Sequence, residues 1–183
     1  MKKIYSYTMM ALIATIIIAF TSCEDEKIAR TLEGTWRGNM YISTYYGDRS
    51  YDATYTEITF LKDPTTFSSG NGYWVDYYSD APWGYVANHI DWTVNSGVIK
   101  VHFFEEDTWI RISDYYLSDD RFYGVLDDNG RRVDFELYHT SSPNWGNYHW
   151  GYNYWYDSYA PSRRTVASDS TAMEKPVRYV KGK

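Results

Sequence analysis

The residues able to do chemistry in this 183-residue chain are few and scattered. Cys23 is the single cysteine and has no disulfide partner within the chain. The four histidines, His89, His102, His139 and His149, include no pair at helical ligand spacing, and no twelve-residue acidic loop of the calcium-binding type is present. The reading is therefore no metal and no cofactor. Asp76 and Asp91 fall on neighbouring predicted strands and are the nearest approach to an acid and carboxylate pair, but they read as acids on an outer sheet face. No nucleophile stands beside a base, so the chain is read as a binder and not as an enzyme. What it has in abundance is rings: 21 Tyr and 8 Trp. Tyr45, Tyr46 and Tyr51 lie near Asp48 and Asp52, and Trp83 lies near Asp80. Rings stack on sugar faces while carboxylates accept hydrogen bonds from hydroxyls. Tyr45, Tyr46, Tyr51, Trp83 and Asp80 are accordingly the candidate ligand-binding residues, for a glycan or another small ligand.

Positioning such loops requires a rigid scaffold, and the period of the apolar residues supplies one. In the stretch 31–42, Trp36, Met40 and Ile42 share one face and Arg37, Asn39 and Tyr41 the other, which is the alternation of a strand with one buried side. Further strands are predicted over 54–62, 72–78, 85–94, 98–105, 109–117, 121–126 and 131–139. Asn95-Ser96-Gly97 and Asp127-Asp128-Asn129-Gly130 are hairpin signals between them. In 72–78 the alternation fails, and either Trp74 or Val75 faces inward. Eight short-linked strands and no helix of any length predict an all-β chain, an eight-stranded antiparallel up-and-down barrel, because closure removes the exposed edges that a flat sheet would leave. Loops of a meander alternate between two ends, so 45–53, 79–84, 105–108 and 127–130 share one rim. That rim collects Asp48, Asp52, Asp80, Glu105, Glu106, Asp107, Asp127 and Asp128, with Arg49 as its lone base. Bulky inward residues, among them Phe60, Trp92, Phe103, Phe122 and Phe135, leave room for at most a shallow apolar cup near this rim.

Beyond the barrel, residues 141–160 form an aromatic-rich extension. Trp145, Tyr148, Trp150, Tyr152, Tyr154 and Tyr156 are the alternative binding surface: the last five recur at every second position and would make one continuous face in an extended chain. That face either stacks on a glycan or protein partner or covers the barrel wall. Residues 161–183 show no period and are read as a disordered basic tail. The formal charge of −6 is unevenly divided: this tail has six bases against two acids, and the stretch 23–160 is strongly acidic. An anionic body argues against nucleic acid as a partner, since phosphates would be repelled.

The N-terminus has the pattern of an exported protein. Lys2 and Lys3 precede an apolar run from Met9 to Phe20, short for a membrane span and the length of a signal-peptide core. The junction Phe20-Thr21-Ser22-Cys23 resembles the lipobox of bacterial lipoproteins, in which the cysteine is diacylated and becomes the new N-terminus. Glu24-Asp25-Glu26-Lys27 resembles the export signal of Bacteroidetes-type surface lipoproteins. These resemblances imply a signal peptide over 1–22, lipidation of Cys23 and an acidic linker over 23–30, ahead of the barrel predicted over 31–140. The membrane would be a partner through the lipid anchor, and the place the bacterial outer membrane, at the cell surface.

Gly34-Thr35-Trp36 at the head of the first of eight meandering strands resembles the calycin superfamily, which includes lipocalins, fatty-acid-binding proteins and avidins. There the Gly-x-Trp strand starts at the closed base and its Trp forms a floor. Gly34 and Trp36 are the matching positions. The first inter-strand loop is too short for paired lid helices, and no amphipathic helix follows the last strand, so the nearest likeness is to lipocalin-like domains of Bacteroidetes-type lipoproteins. The resemblance implies ligand binding, with a protein-interaction or structural role in the envelope as the alternative.

Overall fold

The computed structural model describes residues 23–152 and 176–181. Residues 23–32 are helical (α1). The strands are β1 (Gly34–Asn39), β2 (Ile42–Tyr46), β3 (Arg49–Asp52), β4 (Tyr55–Lys62), β5 (Ser69–Tyr77), β6 (Tyr85–Asn95), β7 (Val98–Phe103), β8 (Thr108–Leu117), β9 (Arg121–Asp128), β10 (Arg131–Thr140) and β11 (Val177–Val180). Strand β1 and strands β4 to β10 close into an eight-stranded antiparallel barrel, with β10 returning to β1 so that Thr35 faces Thr140. Alternation explains which side each residue takes: Ile58 and Phe60, Ile90, Trp92 and Val94, Ile99, Val101 and Phe103, and Val133, Phe135 and Leu137 are all buried in one core. Trp36 faces the interior, as its phase predicts, at the base end of the barrel. It is inaccessible, its Nε1 donates to the Leu32 carbonyl at 2.8 Å, and its ring meets Phe122 and His139 edge-on.

Three departures from the sequence reading shape the rest of the molecule. The first strand ends early. Asn39 accepts from the Tyr41 amide through its side chain at 2.7 Å, and Tyr41 takes a left-handed φ of 52°. Met40 and Ile42 stay buried, but the chain leaves the barrel there, and the stretch expected as the loop 45–53 contains most of a hairpin, β2 and β3. The tail expected to be disordered supplies β11, which pairs antiparallel with β2, Arg178 opposite Thr44, to make a three-stranded sheet ordered β11-β2-β3. The expected acidic linker is the helix α1. Its buried residues Asp25, Ala29 and Leu32 recur at helical spacing, and the Asp25 carboxylate accepts from the amides of Ser96 and Gly97, both at 2.9 Å, so that α1 docks on the β6–β7 hairpin at the base.

The aromatic extension lines a wall. Thr35 and Ser142 share a hydrogen bond at the base, Trp145 and Trp150 stack on Tyr73, Tyr148 meets Tyr77 and Tyr85, and the Gly151 amide donates to the Ala87 carbonyl at 2.7 Å. The strap therefore climbs the outer face of β5 and β6 from base to mouth. Trp74 and Val75 are both inaccessible for that reason: Trp74 belongs to the interior cluster, and the outer face that carries Val75 lies under the strap.

Candidate functional site

Strand parity places the barrel mouth where the sequence puts the rim, and the sheet β11-β2-β3 lies over it. Beneath that sheet the inward positions turn from apolar to polar. Thr56 on β4, Asp76 on β5 and Asn88 on β6 are all fully buried. Burial of an unpaired carboxylate would be costly, and Asp76 is paired on both oxygens. Thr56 Oγ1 donates to Oδ1 at 2.6 Å and Trp74 Nε1 to the same atom at 2.9 Å, while Arg178 Nε donates to Oδ2 at 2.9 Å. The Arg178 side chain is 5% exposed, and its guanidinium carbon lies 4.0 Å from the ring centre of Phe103 and 5.0 Å from that of Trp74. An ion pair is thus set against two aromatic faces, a geometry that favours a desolvated cation.

A second acid completes the cup. Glu106, on the β7–β8 loop, accepts from Asn88 Nδ2 at 2.9 Å. Burial raises the Glu106 carboxyl above the ordinary range, Asp76 and Glu105 add to the effect, and Arg178 and Asn88 oppose it. Burial pulls the Arg178 guanidinium down, but Asp76 and Glu106 more than offset this, so it is held fully charged. Among the described residues, two polar atoms of the cup have no hydrogen-bond partner: Asn88 Oδ1 and Arg178 Nη2. A groove of about 370 Å³ runs beside it, lined among others by Glu106, Thr108, Ile110, Asp128, Arg131 and Tyr179.

Of the sequence-predicted rim residues, Trp83 is 4% exposed and meets Tyr46, Tyr51, Tyr78 and Tyr152 edge-on, all at centroid distances of 5.4–6.0 Å. The structure does bring Tyr46, Tyr51 and Trp83 together, as the packed underside of the lid and not as an open platform. Tyr45 and Asp80 are exposed and lie outside that cluster. Tyr78 and Tyr152 both share hydrogen bonds with Thr44, at 2.9 and 2.7 Å. On the alternative surface, Trp145, Tyr148 and Trp150 cover the wall and Tyr152 is buried at the mouth, while Tyr154 and Tyr156 lie outside the described residues.

The rim acids are also largely engaged. Asp52 accepts from Ser43 and Lys181, Asp127 from the Gly130 amide, and Glu105 pairs with His89, whose ring Trp150 covers at 3.9 Å. Two basic residues of the tail, Arg178 and Lys181, pair with the acids Asp76 and Asp52 of the body. Asp76 and Asp91 are not a carboxylate pair: Asp76 points into the barrel in phase with Trp74 and Tyr78, and Asp91 is exposed on the outside. The expected apolar cup is a charged one. Among the described residues no group of three or more His, Cys, Asp or Glu is placed to hold a metal ion.

No protein-family model matches the chain, and a search of curated proteins finds no match.

Proposed function

We propose that this chain is a non-catalytic, lipid-anchored binding protein of the bacterial outer membrane, displayed at the cell surface, in which a barrel of calycin type receives a small ligand at its mouth. The observation that carries the reading is the polar lining of that mouth. Replacing a buried ion pair with apolar groups of similar volume is often neutral or stabilising, so packing alone does not call for Asp76, Asn88, Glu106 and Arg178 in one cavity; recognition does. The position of Cys23 supports the tether. It is exposed at the outer end of α1, beside Gly97 and Leu117 at the base, so an acyl chain there leaves the mouth facing away from the membrane.

A thermal-shift screen of glycans and small polar compounds on the purified protein tests the binding half. A genuine ligand raises the midpoint of the parent, and the shift is lost in Asn88→Ala and Glu106→Gln. A ligand whose shift survives both changes binds elsewhere and removes the reading. For the anchor, Cys23→Ala should leave the detergent phase for the aqueous one; unchanged partitioning would remove the lipoprotein assignment.

One observation favours the protein-interaction alternative. The wall opposite the strap carries the exposed rings Tyr41, Tyr123 and Tyr138, with Arg121 lying over Tyr123 and paired with Glu136, around a shallow groove of about 460 Å³, and Tyr116 stacks on Tyr123. Rings beside charged groups suit a partner surface. Loss of a pull-down partner in Tyr123→Ala/Tyr138→Ala, with the cup intact, would favour this reading over the mouth.

A further inference from the structure

We propose that the charged cup is a guanidinium site, filled in cis by Arg178 and in trans by an arginine carried on an extended peptide that pairs with β2 in place of β11. The inference rests on the reading of the mouth as the ligand-binding end. Its ground is the division of labour between the two partners. The groups that touch the guanidinium belong to the barrel, Asp76 Oδ2 and the faces of Phe103 and Trp74, and Glu106 lines the groove beside it. These groups are held independently of Arg178, since Thr56 and Trp74 orient Asp76, and Asn88 orients Glu106. The occupant comes from a four-residue strand whose one strand partner among the described residues is β2, with further hydrogen bonds from the Val180 amide to Asp128 and from the Lys181 amide to the Tyr41 carbonyl. A buried carboxylate demands a cation, but it does not specify which chain supplies it.

The in-cis occupant also leaves the cup incompletely satisfied. Asn88 is fully buried and donates to Glu106, and among the described residues its Oδ1 has no donor and the buried Arg178 Nη2 has no acceptor. A guanidinium has five donors in a planar fork, so one seated slightly differently could satisfy both Asp76 and Asn88. Main-chain pairing along β2 supplies affinity for an extended segment, and the cup supplies the choice of side chain at the position facing Thr44, the pattern of strand addition with a single specificity pocket.

The full chain carries the test. Arg178→Ala should lower the melting temperature, and millimolar agmatine should raise it again by roughly several degrees in a dose-dependent way. Putrescine, which lacks a guanidinium, should not, nor should agmatine act on Asp76→Asn/Arg178→Ala. If Arg178→Ala fails to fold, the parent protein serves. An isotope-labelled peptide of residues 176–181 should speed hydrogen exchange of the chain's own amides at 177–180 at least about twofold by displacing β11, and the same peptide with alanine for arginine should be inert. Agmatine without effect on a folded Arg178→Ala, or a peptide without effect on exchange, overturns the inference. If the compound screen still finds a ligand whose shift depends on Asn88 and Glu106, the mouth keeps its role and only the guanidinium assignment falls.

Discussion

Arg178 Nε and Asp76 Oδ2 stand 2.9 Å apart across 102 positions of sequence, and this contact joins the last described strand to the inside of the barrel. It is the most consequential pair in the molecule because both side chains are out of water. Breaking one partner of a buried pair leaves the other charge uncompensated, at about 3–5 kcal/mol. Arg178→Ala and Asp76→Ala should each destabilise by about that much in chemical denaturation, while Asp76→Asn/Arg178→Leu should fall well short of the sum of the single changes. Additive losses would mean that the pair is not coupled.

Trp36 lies at the base end of the barrel, held by Leu32 and by edge contacts to Phe122 and His139. Truncation of a buried Trp costs about 3–5 kcal/mol. Trp36→Ala should lower the unfolding midpoint by this measure and leave any binding at the mouth unchanged in the fraction that remains folded, as read by urea titration and by ligand shift together.

The Glu106 carboxyl is raised from an ordinary value of 4.5, first by burial and then by Asp76 and Glu105. A raised acid binds more protons in the folded state than in the unfolded one, so its contribution to stability is complete below the ordinary value and is lost as pH rises through the native one. The stability of Glu106→Gln relative to the parent should therefore grow with pH above about 4.5, since the amide oxygen can still accept from Asn88. Taking the difference between two melting curves cancels the histidines and the exposed carboxylates common to both proteins. A difference that stays flat or shrinks with pH would show that the Glu106 pKa is not raised.

Asp25 has a structural duty inside the acidic run that resembles an export signal. Its two hydrogen bonds to the Ser96 and Gly97 amides fix α1 to the base, and their loss in Asp25→Ala should cost about 1–3 kcal/mol. Glu24 and Glu26 are the pair to change when export is the question. Glu24→Ala/Glu26→Ala should protect the protein from protease added to whole cells while changing its melting temperature little.

The barrel was legible because its signal is local: alternation in 85–94, 98–105 and 131–139 matches β6, β7 and β10 to within two residues at each end. The lid was not, for physical reasons that differ from place to place. Nothing like Gly or Pro marks the exit at Tyr41; the cue was Asn39, whose side chain caps the bend, and Asn is ambiguous in a strand. Strand β11 is four residues long, too short for periodicity, and its partner lies far back in the chain. The helix α1 did show its cue, in the spacing of Asp25, Ala29 and Leu32, but the charges around it read as a linker. Asp76 shares the phase of Trp74 and Tyr78, yet the strap over β5 and β6 buries the outer face as well, and burial on both sides erases the alternation that would have pointed the acid inward.

The placement of β11 after the barrel strands gives the protein a built-in order of completion. All eight barrel strands precede Arg178 in the chain, so they can pair before it is in place. Until it is, Asp76 has no cation at its Oδ2, and its buried charge is uncompensated. A product cut short anywhere between β10 and β11 would fold with that defect permanently in place and open more often to proteases. Full stability therefore requires a chain that extends through residue 178.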